Sequence, residues 1–249
     1  MATTKYIHTE RVHNLDAPSI VVPLLMKLFH PDSVVDIGCG TGNFLKVFKE
    51  EGIPVVKGYD GAWVNRDLLK KNGIENNEFE EADFERFKDA PQKYDLALCL
   101  EVAEHLKPEA ADQFIRALTT YSDVIVFSAA IPSQGGQNHL NEQWPSYWGA
   151  IFEQQGFRMY DIVRSMVWNN SGVNYWYKQN AFVYIKHDST LFSNQFEAVD
   201  TATYKNIIHP DIYLYKAQLL ERILEGRYTF KGYMKMLLKY FRNHFRKVS

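Results

Sequence analysis

Three alternating glycines that directly follow a short apolar run constrain the fold of this chain more than any other feature. The run Ser33–Ile37 (SVVDI) is rich in β-branched residues, which predicts a buried strand. Gly38, Gly40 and Gly42 come next, and Asn43–Glu50 then has the pattern of a helix. Glycines allow a tight turn and let backbone N–H groups approach a ligand closely. This strand–loop–helix order predicts an α/β fold with a ligand-binding turn.

Further apolar runs alternate with helical patterns through the first 185 residues, as in βαβ units of a parallel sheet. We predict strands at Pro54–Tyr59, Asn77–Ala82, Tyr94–Leu100, Asp123–Ser128, Met159–Val167 and Asn180–Lys186, helices at Pro108–Thr120 and Trp148–Gln155, and a turn region between Trp168 and Asn180. From His187 onward the strand signal is absent, and His209–Leu224 and Lys231–Val248 have helical patterns. We therefore divide the chain into a domain at 1–187 and a helical C-terminal extension at 188–249.

Composition excludes several classes of protein. A chain of 249 residues with 46% hydrophobic content can bury a large core, and its two cysteines, Cys39 and Cys99, exclude a disulfide scaffold and a cysteine-rich metal site. The sequence shows no secretory signal and no apolar run of membrane-spanning length, so we expect a cytoplasmic location. The first 225 residues hold 21 basic and 30 acidic groups. This acidic body argues against a nucleic-acid partner.

Acidic residues mark the ends of successive predicted strands. Asp36 lies two residues before the first glycine, Asp60 ends the second strand, and Asp83 follows the third with Phe84 beside it. The carboxyl ends of parallel strands meet at one edge of a sheet, so these carboxylates are expected close together. Asp60 is about twenty residues past the glycine loop, where a carboxylate can accept both hydroxyls of a ribose. The pattern departs from the dinucleotide fingerprint, since Asn43 stands where that motif has glycine or alanine.

The segments DIGCGTG, ADF at 82–84 and YDLALCLEVAEHL, together with Asp60, resemble the class I S-adenosylmethionine-dependent methyltransferases over roughly residues 10–187. The resemblance implies a Rossmann-like, seven-stranded and mostly parallel sheet with an antiparallel last strand, and S-adenosylmethionine as cofactor. It also implies that Asp36 and the glycine loop hold the methionine part, Asp60 the ribose, and Asp83 with Phe84 the adenine. The predicted cofactor-binding set is Asp36, Gly38, Cys39, Gly40, Asn43, Phe44, Asp60, Gly61, Asp83, Phe84, Leu100 and Glu101.

The stretch GGQNHLNEQWPSYWGAIFEQQGF is similar to bacterial methyltransferases associated with glycan biosynthesis and sugar O-methylation. That resemblance implies a sugar hydroxyl, nucleotide-linked or in an oligosaccharide, as the acceptor. A hydroxyl is a poor nucleophile that needs a base or a metal, and an imidazole in this loop can take a proton near neutral pH. We expect catalytic roles for His139, Glu104 and His105, and acceptor contacts from Asn138, Asn141, Glu142, Trp144, Tyr147 and Trp148.

A divalent metal is the alternative to an unaided base. Glu101, Glu104 and His105 form an ExxEH pattern whose side chains converge if the segment begins a helix, and with His139 they could bind Mg²⁺. The pattern resembles that of small-RNA 2′-O-methyltransferases and of some ubiquinone-pathway O-methyltransferases. It also occurs in relatives that bind no metal, where these side chains only shape the pocket. The metal therefore stays open.

Other functions and partners also stay open. The acceptor could be a small aromatic or natural-product hydroxyl, or the fold could serve as a non-catalytic binding module.

The C-terminal pattern Lys231–Val248 combines an apolar face with a basic flank. It predicts either peripheral contact with anionic lipid at the inner membrane face or packing on its own domain or a second subunit. The polar N-terminal residues are interpreted as a lid over the cofactor site or as a frayed terminus: Tyr6, His8, Arg11, His13 and Asn14.

Overall fold

The structure is a computed structural model and describes residues 14–189, 196–200 and 206–245. Residues up to Ile207 form one compact unit around a seven-stranded sheet. Its strands are β1 (Ser33–Ile37), β2 (Val55–Asp60), β3 (Phe79–Glu81), β4 (Leu96–Leu100), β5 (Val124–Ser128), β6 (Phe157–Tyr160) and β7 (Phe182–Lys186). Its helices are α1 (Asp16–Phe29), α2 (Asn43–Glu50), α3 (Arg66–Lys71), α4 (Ala111–Leu118), α5 (Pro145–Gln154), α6 (Val163–Val167) and α7 (Tyr175–Asn180).

The strand order across the sheet is β3-β2-β1-β4-β5-β7-β6. Strands β1 to β5 run parallel, and β7 is antiparallel to both of its neighbours. The order reverses at β1, because β2 and β3 extend the sheet on one side and β4 on the other. Such a reversal leaves a crevice beyond the carboxyl ends of the strands, where ligands of α/β proteins bind. The predicted Rossmann-like, mostly parallel sheet is confirmed.

Apolar side chains cover both faces of the sheet. Val34 of β1 packs in a cluster with Leu25 and Phe48 of the helices on one face. Val35, its neighbour along the strand, belongs to the cluster on the opposite face with Phe114. Successive strand residues point to opposite faces, so a strand buried on both sides must be apolar at nearly every position. For this reason β1, β4 and β5 appear in the amino-acid sequence as nearly continuous apolar runs.

Several predicted elements have other bounds in the structure, and three of them differ in kind or length. The predicted strand Met159–Val167 is wrong beyond Tyr160, because β6 ends there and Val163–Val167 is helical. The Arg164 guanidinium donates to Asp161 three residues earlier, a contact that suits a helical turn and overrides the β-branched composition. The third strand is shorter than predicted, because a capped 3-10 turn occupies Asn76–Glu78. The predicted turn region before β7 contains helix α7.

Residues 208–249 form a second compact unit. Its described elements are helix α8 (Pro210–Leu224), whose first turn is capped by the Nδ1 atom of His209, and helix α9 (Phe230–Phe245). Upstream, Val199 adds an isolated bridge to Met159 at the edge of the sheet. The N-terminal residues Tyr6 to His13 and the end of the predicted last helix, 246–248, lie outside the described residues.

A search of the described part of the chain for membrane spans finds no helix that is both long and apolar enough to cross a bilayer.

Gly58 in β2 is expected to be needed for the glycine loop to pack on the sheet. A Cβ atom there would lie 2.7 Å from the Cys39 sulfur and 2.9 Å from a Leu45 methyl carbon. Overpacking of this kind costs about 1–3 kcal/mol, so Gly58→Ala should lower the free energy of urea unfolding by that amount. Leu45→Ala makes room for the added methyl, and the double variant should lose less stability than the sum of the single changes. Strict additivity would contradict this account.

Candidate active site

The glycine loop joins β1 to α2 at the point where the strand order reverses. Backbone N–H groups of Gly38 and Cys39 both donate to the carbonyl of Tyr59 at the end of β2, at 2.7 and 3.0 Å. Gly38 has φ of +86°, and a Cβ atom there would lie 2.2 Å from the side chain of Val102, just beyond β4. A residue with a side chain would therefore be both strained and obstructed at this position.

Asp60 ties this loop to the end of β2. One of its carboxylate oxygens accepts from the N–H of Gly40 at 2.7 Å, and the other accepts from the N–H of Gly61 at 2.6 Å. Burial raises the pKa of Asp60 to about 6, while the two amide donors hold it lower than burial alone would. The carboxylate is thus fixed in place, and its remaining lone pairs can accept further donors.

Asp36 is the second buried carboxylate at this edge of the sheet. Burial, and then the charge of Asp60, raise its pKa to about 8. Among the described residues, no basic side chain lowers the pKa of either carboxylate. Two buried acids with no basic partner match a ligand that brings hydroxyl donors and a cationic group, as S-adenosylmethionine does. The residues at this edge therefore fit that cofactor.

The two residues predicted to hold the adenine, Asp83 and Phe84, differ in their surroundings. Asp83 caps the short turn Phe84–Arg86 by accepting from the N–H of Glu85 at 3.1 Å. The Phe84 ring is buried against Phe87 and Phe114, and its stacking on an adenine stays a prediction. A different aromatic lies nearby that the sequence analysis missed. The ring of Trp63 covers Gly61 beside Asp60 and is 38% exposed.

The other predicted cofactor residues lie around the loop. The Asn43 side chain accepts from Thr41 and Asn72 and donates to the carbonyl of Asn14, so it braces the loop and the segment before α1. Phe44 and Leu100 line a void of about 10 Å³ together with Tyr177, a residue that the sequence analysis did not single out. Cys39 is buried and faces Gly58.

Glu101 follows β4 with a left-handed backbone, at φ of +57°. Its two carboxylate oxygens accept from the side-chain amides of Gln134 and Asn180, each at 3.0 Å. Asn180 also donates to the carbonyl oxygen of Gln134 at 2.9 Å, which closes a buried polar network. Burial raises the pKa of Glu101, and these amides together with Ser128 oppose the rise. Gln134 and Asn180 were not predicted, because their partner Glu101 is 33 and 79 residues away in the sequence.

Glu104, His105 and His139 converge beside Glu101. Each offers one atom suited to a metal ion, and these atoms lie within 4.8 Å of one another. Ala103–His105 is a 3-10 turn, so the residues meet through this turn and the loop after β5 and not along the helix that the spacing suggested. Glu101 is not part of this group.

The charge state of the cluster follows from its burial. Glu104 is fully buried, and neither carboxylate oxygen has a well-oriented hydrogen-bond partner among the described residues. Burial and the neighbouring charge of Glu101 raise its pKa well above the usual range, although the backbone N–H groups of Glu104 and Ala130 oppose the rise. Burial and His139 lower the pKa of His105 to about 4, so its imidazole is neutral at physiological pH.

The loop from Ser133 to Glu142 is built around the imidazole of His139. Glu142 accepts from the N–H groups of Ser133 and Gly135 and lies 2.8 Å from Nδ1 of His139. The other ring nitrogen, Nε2, lies over Gly136, where a Cβ atom would come within 2.1 Å of it. The carboxylate of Glu142 therefore positions His139, whereas the sequence analysis expected it to contact the acceptor.

The remaining predicted acceptor residues divide by exposure. Trp148 is 2% exposed and packs on Phe127 in the core, which leaves no ring face for an acceptor. Asn141 is also buried, and its backbone N–H donates to the carbonyl of Glu104 at 3.0 Å. Asn138 is exposed, and Trp144 and Tyr147 are half-buried, so these three remain able to meet a ligand.

Comparison with known proteins identifies the family. A model of a methyltransferase domain matches residues 10–168, which is more than half of the chain. Among solved structures, Streptomyces venezuelae DesVI has a TM-score of 0.50 at 14% identity, over 69% of this chain and 91% of DesVI. Magnesium protoporphyrin IX methyltransferase from Synechocystis PCC 6803, with bound SAH, has a TM-score of 0.49 at 18% identity, over 71% of this chain and 84% of that chain.

A candidate O-methyltransferase from Nostoc punctiforme has a TM-score of 0.47 at 16% identity, over 68% of this chain but only 55% of the Nostoc protein. No curated protein matches. At these identities the structural likeness shows the fold alone, and the family rests on the domain match. The chain therefore belongs to the methyltransferase domain family of class I S-adenosylmethionine-dependent enzymes.

Proposed function

We propose that this enzyme transfers the methyl group of S-adenosylmethionine to a hydroxyl, and that the acceptor is a sugar, nucleotide-linked or in an oligosaccharide, in glycan biosynthesis. The observation that carries the proposal is the convergence of Glu104, His105 and His139 beyond the carboxyl end of β4. Val102, in the same turn, packs against Gly38 of the glycine loop, so the cluster and the cofactor loop are neighbours. An acceptor held at the cluster would lie beside the cofactor.

A hydroxyl acceptor explains why a base belongs in this place. S-adenosylmethionine, when bound, would supply an electrophilic methyl carbon and leave as the neutral thioether, and the acceptor oxygen would have to lose its proton. His139 is oriented by Glu142 through Nδ1, which leaves Nε2 to take that proton and Glu142 to stabilise the imidazolium. Asn138, Trp144 and Tyr147 would offer an amide and two flat apolar faces to a sugar ring.

We assign cofactor contacts to the two buried carboxylates. Asp60, held by the amides of Gly40 and Gly61, would accept the ribose hydroxyls. Asp36 would face the ammonium group of the methionine part, whose positive charge offsets the cost of ionising a buried acid. The ring of Trp63 would flank the adenosine, since it lies beside Asp60 on Gly61.

The same cluster fits a divalent cation. Glu104 has two buried oxygens that lack well-oriented donors, and the neutral imidazole of His105 has a lone pair to share. A carboxylate and two imidazoles form a mixed oxygen and nitrogen ligand set, which first-row divalent ions accept more readily than Mg²⁺ does. A cation held by Glu104, His105 and His139 would lower the pKa of the acceptor hydroxyl and orient it. In that case His139 would act as a ligand and not as the base, because its Nδ1 atom already meets Glu142.

Cofactor affinity is expected to rise with pH between about 6 and 8. Asp36 is protonated below its pKa of about 8 in the free protein, and the ammonium of S-adenosylhomocysteine favours its ionised form. Binding below pH 8 therefore releases a proton, and the affinity should gain up to about tenfold per pH unit for one linked proton. Titration calorimetry across this range measures the slope.

Asp36→Asn should flatten this pH profile, because the linked proton is then absent. Asp60→Ala should weaken binding at every pH, because the ribose loses its acceptor. A wild-type affinity that stays constant from pH 6 to 8 would show that Asp36 does not meet the ammonium. No binding by the folded wild-type chain would overturn the enzymatic proposal altogether.

His139→Ala is expected to reduce methyl transfer to a sugar hydroxyl by about 10²–10⁴-fold, the usual loss when a general base is removed. Transfer of radiolabelled methyl groups to a panel of nucleotide sugars and oligosaccharides measures the rate. His187→Ala, a change at an exposed histidine beyond β7, serves as the matched control. Equal activity in His139→Ala and wild type, or transfer only to aromatic acceptors, would count against the proposal.

Chelation is expected to abolish turnover if the cluster holds a cation, and added Mn²⁺ or Mg²⁺ should restore it. Glu104→Gln removes the only carboxylate of the group and should remove calorimetric binding of Mn²⁺. Unchanged turnover after exhaustive EDTA treatment would rule out the cation and leave His139 as an unaided base.

A further inference from the structure

Helix α9 carries an apolar face that is exposed over the residues that the structure describes. Every described side chain from Met234 to Phe241 is exposed. At helical spacing, one face carries Phe230, Met234, Leu237, Leu238 and Phe241, of which Phe230 is 81% exposed and Leu238 63% exposed. Contiguous apolar surface of this kind marks a binding site, since soluble proteins rarely leave it open to water.

A basic stripe borders that face. Lys231, Lys235 and Lys239 follow one another at four-residue intervals and lie on one flank of the apolar residues. From Gly226 to the end of the sequence there are seven Lys and Arg residues and no acid. The segment combines a large apolar arc with positive charge on its border, which is the pattern of helices that lie in a membrane interface.

Helix α8 adds apolar surface to the same unit. Tyr213, Leu220 and Leu224 share one face of this helix, and Leu224 is 77% exposed. Most of the unit's described side chains are at least partly exposed, and Ile212 is its one buried hydrophobic residue among those described. The two helices cover little of their own apolar surface. An external surface that covers these apolar residues would therefore stabilise the unit.

We propose that residues 208–249 bind an anionic lipid bilayer, with the apolar face of α9 inserted at the interface and its lysines on the headgroups. Charge complementarity selects this occupant. Each Lys or Arg near an anionic membrane adds attraction, and leucine, methionine and phenylalanine side chains gain by entering the acyl boundary. The enzyme would then act at a membrane surface, on an acceptor that is itself lipid-linked or held there.

Two other occupants fit the observations less well. A second copy of the chain would bring the same lysine stripes close together, and like charges repel. A nucleic acid would satisfy the lysines but leave the exposed leucines and methionines in contact with water and phosphate. Both remain as outcomes of the test.

The test is co-sedimentation of the full chain with vesicles of phosphatidylglycerol and phosphatidylcholine in equal parts, against vesicles of phosphatidylcholine alone. Binding should require the anionic lipid and weaken with added salt. Lys231→Glu, Lys235→Glu and Lys239→Glu combined should lower the partition coefficient by about tenfold or more. Leu238→Ser with Phe241→Ser should also lower it, because the inserted face is lost.

A matched control carries the same change of charge on the body, at the exposed residues Lys27, Lys70 and Lys88, each replaced by Glu. It should bind vesicles like the wild type, and an equal loss there would overturn the proposal by showing that only net charge matters. S-adenosylhomocysteine affinity and circular dichroism confirm that each variant is folded. Vesicle binding does not depend on which acceptor is methylated. The proposal of membrane binding and the proposal of sugar O-methylation can therefore fail separately.

Three further results would overturn the proposal. One is wild-type binding that does not depend on the anionic lipid. Another is a wild-type dimer in sedimentation velocity that the apolar variant converts to a monomer, with no vesicle binding by either. The last is salt-sensitive binding to a single-stranded RNA oligonucleotide in the absence of vesicle binding.

Discussion

The pair of hydrogen bonds from the backbone amides of Gly40 and Gly61 to Asp60 is the contact on which the cofactor site depends. It joins the loop after β1 to the end of β2, and the N–H groups of Gly38 and Cys39 reinforce the junction through the carbonyl of Tyr59. Because β1 and β2 are parallel and paired residue by residue, their carboxyl ends are level. A carboxylate at the end of one strand can therefore fix the loop that leaves the other.

A second junction places the proposed catalytic group. The N–H groups of Leu140 and Asn141 donate to the backbone carbonyl of Glu104, which fastens the loop after β5 to the turn after β4. Glu142 closes the loop from within by accepting from two of its amides and contacting His139. Hydrogen bonds from backbone N–H groups at both ends of this loop thus set the position of His139. Precise positioning of this kind is what proton transfer requires.

The sequence was informative where the pattern is local. β1 and α2 have their predicted bounds, since an apolar run, a glycine loop and an amphipathic helix follow in immediate succession. The partners of Glu101 were not predictable, because Gln134 and Asn180 meet it only through the tertiary fold. Burial was equally hidden: Trp144 and Trp148 look alike in sequence, but one is half-exposed and the other lies in the core. The strand predicted at Met159–Val167 was wrong beyond Tyr160, because Arg164 and Asp161 favour a helical turn locally.

Three buried carboxylates, Asp36, Asp60 and Glu104, lie with the half-buried Glu101 at one edge of the sheet, and loss of hydration raises the pKa of each. Asp60 and Glu101 are compensated by amide donors, whereas Glu104 lacks well-oriented donors and Asp36 also feels the charge of Asp60. A fold selected for stability alone would place apolar residues at these positions. Uncompensated acids persist where a ligand supplies the missing positive charge or hydrogen-bond donors. The two least compensated acids, Asp36 and Glu104, are accordingly the ones for which we propose a cationic partner: the cofactor's ammonium for the first and a divalent ion for the second.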